Sequence, residues 1–307
     1  MGRPLPSAST LQRERSTIAS MRLHAAAKIN WTLEVLGRRD DGYHEVRTVM
    51  QTVGPWDTLQ IAPRRGLEVT VEGPYEVSDD DLVARAASVL AQGAARGANI
   101  RLSKRIAVAA GLGGGSSDAA AALRGLNELW GLGHGDDALA EMAAALGSDV
   151  AFFLRGGVAL AEGRGERVTH LPDAHPAWLA LLVPPFRTPD KTRSMYAALK
   201  PEDFTDGSRT DALVRDIREG RPVGDDSLCN AFDRAAYEVF EGLGDYRDAL
   251  LAAGARRVHL AGSGPALFAL GPGEGAARAV HARLRSPGGE ALVVRTLTAT
   301  EALRRED

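Results

Sequence analysis

The sequence Gly111-Leu112-Gly113-Gly114-Gly115-Ser116-Ser117 is followed at once by a segment rich in alanine and leucine. Four glycines in seven positions remove the Cβ atoms that would keep a ligand away from the backbone. The apolar spacing after this loop predicts a helix over about 118–130, capped by Ser116 or Ser117 and with Asp118 in its first turn. Unpaired N–H groups and the positive end of a helix dipole favour an anion there, above all a nucleotide phosphate.

Other kinds of glycine loop have to be weighed against that interpretation. A tight turn before a buried helix would contain the same glycines, and Asp118 could itself complement the helix dipole. A Walker A loop requires lysine directly after its last glycine, where this chain has Ser116. The dinucleotide-binding fingerprint requires glycine at its sixth position, which Ser116 also occupies. The loop is therefore either a plain turn or a phosphate site of another type.

Length, composition and charge restrict the class of protein. At 307 residues the chain can form one large domain or two ordinary ones. A hydrophobic fraction of 44% and a charged fraction of 25% are typical of a globular protein with a sizeable core. The net charge of -3 gives no general attraction for nucleic acid or an anionic membrane, so we expect neither as a partner.

Three features bear on the location of the protein. Cys229 is the single cysteine, which excludes an intramolecular disulfide and favours a reducing, cytoplasmic environment. No apolar run reaches about 18 residues, so no membrane span is predicted. Residues 1–20 are polar and lack the apolar centre of a secretory signal, and we interpret them as a disordered leader.

Lysine is rare in this chain, and one lysine lies in a strongly apolar stretch. Lys28, Lys104, Lys191 and Lys200 are the lysines, and the other 33 basic residues are arginines. The alternation over residues 22–36 predicts a strand leading into a second strand, with Lys28 and Asn30 on one face. That face either meets solvent or belongs to a site that needs a compact, movable cation.

Strand and helix patterns continue along the chain without an internal repeat. The predicted strands end or lie at 59–61, 67–71, 99–103, 158–161, 178–183, 257–261, 266–270 and 291–296. The predicted helices lie at 82–92, 136–146, 193–199, 230–241, 246–253 and 274–284, and residues 200–227 are expected to be a polar stretch. A change in composition near residues 160–175 favours a boundary between a domain over 21–165 and a domain over 166–307.

Two further motifs are ambiguous by themselves. Tyr43-His44 follows the turn predicted at 37–42 and is either structural or part of a binding site. Asp149 lies at the start of an apolar segment, where a carboxylate is uncommon unless it is paired. It therefore either caps a local turn or has a cationic partner.

Taken together and in order, the motifs resemble the GHMP small-molecule kinases. They are Lys28-Ile29-Asn30, Gly42-Tyr43-His44, the loop at 111–117, Leu146-Gly147-Ser148-Asp149-Val150 and Gly262-Ser263-Gly264. The strings at 37–44 and 111–120 are similar to the branch of this family that phosphorylates the 2-hydroxyl of 4-(cytidine 5'-diphospho)-2-C-methyl-D-erythritol in the non-mevalonate (MEP) isoprenoid pathway. The resemblance covers about residues 22–300.

The resemblance implies a fold and a set of roles. The fold is α+β, with an N-terminal ribosomal-S5-like ATP-binding domain, a C-terminal ferredoxin-like domain and the active site in the cleft between them. Lys28 and Asp149 would be catalytic. The phosphates of ATP, bridged by Mg²⁺, would contact Ala107, Val108, Ala109, Ala110, Gly111, Leu112, Gly113, Gly114, Gly115, Ser116 and Ser117, with no metal site formed by the protein itself. The acceptor would contact Asn30, Tyr43, His44, Tyr196, Gly262, Ser263 and Gly264.

Two rival functions stay open at this level. One is another GHMP kinase, acting on homoserine, a sugar or mevalonate, against which the Tyr43-His44 pair argues because those acceptors carry no base. The other is a non-catalytic RNA-binding module, which the net charge disfavours. By analogy with related kinases we expect a monomer or a weak homodimer.

Overall fold

The computed structural model of this chain describes residues 20–75 and 82–306. The predicted leader therefore lies outside the described residues, apart from Ser20. The described strands are β1 (Met21–Arg38), β2 (His44–Pro63), β3 (Leu67–Glu72), β4 (Ala98–Ser103), β5 (Val158–Gly163), β6 (Arg167–His170), β7 (Trp178–Val183), β8 (Cys229–Asn230), β9 (His259–Leu260), β10 (Leu267–Gly271), β11 (Glu290–Arg295) and β12 (Arg305–Glu306). The described helices are α1 (Leu82–Ala91), α2 (Gly114–Leu129), α3 (Asp136–Leu146), α4 (Val150–Phe153), α5 (Lys191–Ala197), α6 (Ser208–Arg218), α7 (Asp233–Val239), α8 (Leu243–Ala252), α9 (Glu274–Arg283) and α10 (Ala299–Ala302).

The strands form two sheets, which confirms the α+β prediction. The first sheet has the order β12-β1-β2-β4-β3, with β5 and β6 continuing from β2 and with β8 parallel to β1. The second sheet is antiparallel, in the order β11-β7-β10-β9. Because β8 and β12 come from the C-terminal half, the first sheet contains strands from both predicted domains. The domain division at residue 165 stays a prediction.

The first strand differs from its prediction. Residues 21–38 form one strand rather than two, because the slightly longer β2 pairs with it from Met21↔Ile61 to Arg38↔His44. Register shifts between Ala26 and Ala27 and between Asn30 and Thr32 bend the pair without breaking it.

The start of α2 also differs from its prediction. The helix begins at Gly114, and its N-cap is Gly113 with a φ of 72°, so neither Ser116 nor Ser117 caps it. Ser117 is buried inside the helix, and its N–H donates to the carbonyl of Gly113. Asp118 is consequently the fifth helical residue rather than a first-turn residue. The glycines, which tolerate this backbone, allow the helix to start earlier than its apolar spacing suggests.

Two predictions in the C-terminal half were wrong. Helix α7 begins at Asp233 rather than at residue 230, because Cys229 and Asn230 pair with β1 as strand β8. The stretch at 200–227 contains α6, whose residues Leu213, Val214 and Ile217 are buried. Their spacing marks one face of a helix, but the many charged residues between them obscure it.

Strand β1 is buried along most of its length because three groups of elements pack against it. Its first residues contact the layer formed by α1 to α4. Farther along, Trp31 meets the second sheet and lies edge-on to Phe268, with ring centroids 6.1 Å apart. Leu33 and Val35 pack against α7 and α8. One strand therefore connects all three parts of the core.

A buried charge cluster fixes the segment before the glycine loop. Lys104 Nζ lies 2.5 Å from an Asp57 carboxylate oxygen and 2.7 Å from Asp118. The other Asp57 oxygen accepts hydrogen bonds from the backbone N–H groups of Arg105 and Ile106. Burial raises the pKa of Asp118 well above its usual value, although Lys104 opposes the shift. The shared cation therefore keeps two buried acids together at the base of the loop.

Lys104→Met would leave both carboxylates of this cluster without their cation. We expect it to lower the free energy of unfolding by about 3–5 kcal/mol, measured by urea unfolding followed by circular dichroism. The matched control is Lys200→Met, which removes an exposed ion pair with Glu238 and should cost less than about 1 kcal/mol. Equal costs in the two variants would contradict the role given to Lys104.

Candidate active site

The structure brings together Lys28 and Asp149, which are 121 positions apart in the sequence. Lys28 is 5% exposed, and its Nζ lies 3.5 Å from an Asp149 carboxylate oxygen. The same ammonium donates to Asn30 Oδ1 at 2.9 Å, and Asn30 Nδ2 donates to Thr48 Oγ1 at 2.7 Å. Asp149 precedes α4 but makes no capping hydrogen bond with its side chain. Of the two interpretations of Asp149, the cationic partner is therefore confirmed and the cap is not.

The backbone of β1 also fixes the glycine loop. The N–H of Lys28 donates to the carbonyl of Leu112 at 2.9 Å, and the N–H of Ala266 donates to that of Ala110 at 3.1 Å. Gly113 fits between Lys28 and the ring of Phe153, where an added Cβ would lie 3.0 Å from Lys28 Cγ and 2.9 Å from the ring. Lys28 thus holds the glycine loop with its backbone N–H, and its side chain packs against Gly113.

The N-terminus of α2 is shaped for an anion. Gly113, Gly114 and Gly115 open the helix without a side-chain cap, and no acidic residue lies in its first turn. The first N–H groups of a helix lack intrahelical acceptors, and the helix dipole is positive there. Of the two interpretations of the glycine loop, these features favour a phosphate site over a plain turn.

The residues directly before the glycine loop border a cavity. Ala107, Val108, Ala109 and Ala110 line a cavity of about 490 Å³ together with the segment 183–189. Val108 is exposed, and Ala109 has a φ of 58°. These four residues therefore lie on the side of the loop that faces the C-terminal half.

A larger cavity of about 990 Å³ opens beside the Lys28–Asp149 pair. Its described lining includes every residue predicted to contact the acceptor except Gly264: Asn30, Tyr43, His44, Tyr196, Gly262 and Ser263. Asn230 Nδ2 donates to the carbonyls of Leu260 and Gly262, which holds the turn at 262–264 in place. Residues from both halves of the chain thus line this cavity together.

Two aromatic side chains of this cavity are stacked on each other. The rings of His44 and Tyr196 lie 4.8 Å apart and are nearly parallel, at 21°. Tyr43 is exposed, and the guanidinium of Arg164 lies 4.7 Å from its ring centroid. Burial, and after it the charge of Arg38, lowers the pKa of His44, which favours the neutral ring. A neutral imidazole offers one donor and one acceptor.

Sequence reasoning missed the arginines at this cavity. Arg38, Arg164 and Arg193 all line it, whereas Asp149 is the single acidic residue among its described lining residues. Arg38 lies in the string at 37–44, but nothing in its spacing marks it. Arg164 and Arg193 come from a turn and from α5, so only tertiary structure brings the three charges together. The cavity is therefore suited to an anionic ligand.

The described residues contain neither a metal-binding cluster of side chains nor a membrane-spanning helix. Within 20–75 and 82–306, no three His, Cys, Asp or Glu side chains are grouped so that they could hold a metal ion. Within the same ranges, no helix has the length and apolar character needed to span a membrane.

Comparison with known proteins identifies the family. The GHMP kinases N terminal domain model matches residues 81–157, and the GHMP kinases C terminal model matches residues 213–290. The chain is 42% identical to 4-diphosphocytidyl-2-C-methyl-D-erythritol kinase of Dehalococcoides mccartyi, over 90% of this chain and 98% of the relative. It is 44% identical to the enzyme of that name from Pelotomaculum thermopropionicum, over 89% and 96% of the two chains.

Solved structures agree with the sequence matches. A crystal structure of 4-(cytidine 5'-diphospho)-2C-methyl-D-erythritol kinase matches with a TM-score of 0.75 and 36% identity, over 90% of this chain and 98% of that one. A homoserine kinase from Cytophaga hutchinsonii matches with a TM-score of 0.66, over 95% and 99% of the two chains, but its 17% identity shows the fold alone. The chain therefore belongs to the GHMP kinases, in the 4-diphosphocytidyl-2-C-methyl-D-erythritol kinase family. Its predicted two-domain GHMP-kinase fold is confirmed.

Gly113→Ala tests the close packing at the loop. Alanine would have to adopt a φ of 72° with its Cβ 2.9 Å from the Phe153 ring. We expect the free energy of unfolding to fall by about 1–3 kcal/mol in urea titrations. In the matched control, Gly115→Ala, the new Cβ would make an ordinary contact at 3.5 Å with Leu82, so stability should stay the same or rise by up to about 1 kcal/mol. A Gly113→Ala protein as stable as this control would refute the packing constraint.

Proposed function

We propose that this chain transfers the terminal phosphoryl group of ATP to the 2-hydroxyl of 4-(cytidine 5'-diphospho)-2-C-methyl-D-erythritol, a step of the non-mevalonate isoprenoid pathway. The observation that carries the proposal is the position of the ion pair between the buried Lys28 and the partly exposed Asp149. It lies between the uncapped N-terminus of α2 and the aromatic cavity. The names of the relatives supply the acceptor, and the arrangement of the cavity agrees with it.

The chemistry requires positioning and charge neutralisation. An aliphatic hydroxyl is a poor nucleophile at neutral pH, and a carboxylate within hydrogen-bond reach improves it by accepting its proton. Asp149 would take this role, either as a true base or by orienting the hydroxyl. As the new oxygen–phosphorus bond forms, the bond between the γ-phosphorus and the β,γ-bridging oxygen breaks and ADP leaves. Lys28 would keep Asp149 ionised and offset negative charge on the transferred group.

ATP would bind with its phosphates at the glycine loop. The positive backbone dihedrals of Gly111 and Gly113 allow the loop to curve, and the open N-terminus of α2 presents N–H groups to phosphate oxygens. Mg²⁺ would be held mainly by those phosphate oxygens and by water, which suits its reluctance to enter all-protein sites. Bound there, it would neutralise charge as the phosphoryl group is transferred.

The acceptor's base would bind among the aromatic side chains. A neutral His44 can donate to and accept from the edge of cytosine, while Tyr43 and Tyr196 offer ring faces for stacking. The diphosphate would meet the positive charges of Arg38, Arg164 and Arg193. Asn30 and the turn at 262–264 would complete the contacts near the reacting hydroxyl.

The rival functions would make use of fewer features of this cavity. Homoserine, mevalonate and simple sugars carry neither a base nor a diphosphate, so they would leave the aromatic stack and the three arginines unused. An RNA-binding module would not need the Lys28–Asp149 ion pair. A cytoplasmic location, a monomer or weak homodimer, and the domain limits at residue 165 stay predictions.

Removing either member of the ion pair should abolish most turnover. We expect Asp149→Asn to lower kcat by ~10²- to 10⁴-fold and Lys28→Met by ~10- to 10³-fold in an assay of ADP release with the cytidylyl acceptor. The control, Glu274→Gln, changes an exposed residue of α9 and should leave kcat unaltered. Wild-type turnover in either site variant would refute its assigned role.

Acceptor recognition should depend on neutral His44. Protonation removes the acceptor nitrogen of the ring, so KM for the cytidylyl substrate should rise as the pH falls below the ordinary histidine pKa, with a much smaller change in KM for ATP. His44→Gln should raise KM for the acceptor at pH 7 and flatten this dependence. Cytidine diphosphate should compete with the acceptor, and a failure to compete would favour one of the rival kinases.

A further inference from the structure

Lys191 differs from the other lysines in its surroundings. Lys28, Lys104 and Lys200 each have a carboxylate oxygen within 3.5 Å. In the described parts of the chain Lys191 forms no ion pair, and its Nζ donates to the backbone carbonyl of Gly264 at 2.6 Å. The side chain is half-buried at the first residue of α5. It is therefore a confined cation without a direct carboxylate partner among the residues that the structure describes.

The position of Lys191 places this cation at the transfer site. Gly264 ends the turn that begins at Gly262, and a Cβ added at Gly262 would lie 3.0 Å from Lys28 Nζ and 2.7 Å from the carbonyl of Gly111. Lys28, the glycine loop and Lys191 thus meet around one turn. Helix α5 also carries Tyr196, which lines the acceptor cavity. Lys191 therefore lies between the phosphate side and the acceptor side of the site.

The surroundings of Lys191 disfavour the charged form of its side chain. Burial first, and then the positive charge of Lys28, lowers the pKa of Lys191 to about 7, while Asp149 acts in the opposite direction. Two lysines consequently share one nearby carboxylate. An ammonium has three N–H donors, and the carbonyl of Gly264 accounts for one.

We propose that Lys191 is a second phosphate-binding cation of this site, whose free N–H groups contact phosphoryl oxygens next to Lys28. The inference rests on the proposed function and adds a residue to it. The phosphoryl oxygens belong either to the γ-phosphate of ATP or to the diphosphate of the acceptor. Either source would supply negative charge next to Lys191 in addition to that of Asp149. Binding measurements with each ligand distinguish the two sources.

The pH dependence of catalysis should report this cation. Lys191 is charged below about pH 7 in the free protein and neutral above it, so kcat/KM should fall as the pH rises through this range. The charged groups that face it are Lys28 and Asp149, and α5 and its preceding residue add Asp190, Arg193 and Tyr196. The turn at 262–264 and the loop at 111–117 carry no ionisable side chain. Arginine stays charged over this range, so Lys191→Arg should lack the fall.

The experiment compares Lys191→Met and Lys191→Arg with wild type, and uses Lys200→Met as the matched control. Wild-type ADP release is measured first, and its absence would refute the proposed function rather than the role of Lys191. We expect Lys191→Met to lower kcat/KM by ~10- to 100-fold at pH 6.5, Lys191→Arg to recover part of the loss, and the control to match wild type. Circular dichroism and thermal unfolding of each variant show whether a loss reflects folding.

Calorimetry then identifies the source of the phosphoryl oxygens. Weaker binding of the non-hydrolysable analogue AMP-PNP with Mg²⁺ assigns the contact to ATP, and weaker binding of the cytidylyl acceptor assigns it to the diphosphate. Either result supports the proposal. Unchanged kcat/KM and unchanged affinity for both ligands in Lys191→Met would overturn it. If Lys191→Met does not fold, a Lys191→Arg profile that falls with pH as the wild-type profile does would also overturn it.

Discussion

The structure depends on Lys28 making two contacts at once. Its backbone N–H binds the carbonyl of Leu112 and holds the glycine loop, while its side chain pairs with Asp149. The proposed phosphate-binding loop and the proposed catalytic carboxylate are thereby positioned by one residue of a strand that is buried along most of its length. A rigid support of this kind keeps reacting groups in place without a cost of rearrangement during the reaction.

Lys104, Lys28 and Lys191 are each stabilised away from solvent by different partners. Lys104 is shared by two carboxylates and supports the base of the loop, whereas Lys28 has Asp149 and Asn30. Lys191 has a backbone carbonyl in place of a carboxylate. The first arrangement is closed and structural, while the other two leave positive charge available to a ligand. This difference is consistent with a structural role for Lys104 and with the ligand-binding roles proposed for Lys28 and Lys191.

The cavity beside Lys28 and Asp149, where we propose that the acceptor binds, combines aromatic surface with positive charge from distant segments. Tyr43 lies in the turn between β1 and β2, and His44 begins β2. Tyr196 belongs to α5, and Arg164 lies in the turn after β5. A nucleoside diphosphate has a planar base at one end and negative charge at the other, and the cavity offers both kinds of contact. A smaller acceptor without a base would use part of it.

Sequence alone determined the α+β class, most of the elements and the family, because local spacing and short motifs carry that information. It also marked Lys28 and Asp149 as unusual in apolar surroundings. Tertiary structure decided that β1 is one strand, since the length of β2 is what keeps it continuous. It also decided that Asp118 pairs with Lys104. The position of Asp118 in its helix does not reveal which side chain from another segment lies next to it. The meeting of Lys191 with Gly264 and Lys28 follows from packing between distant segments, and no spacing within the chain records it.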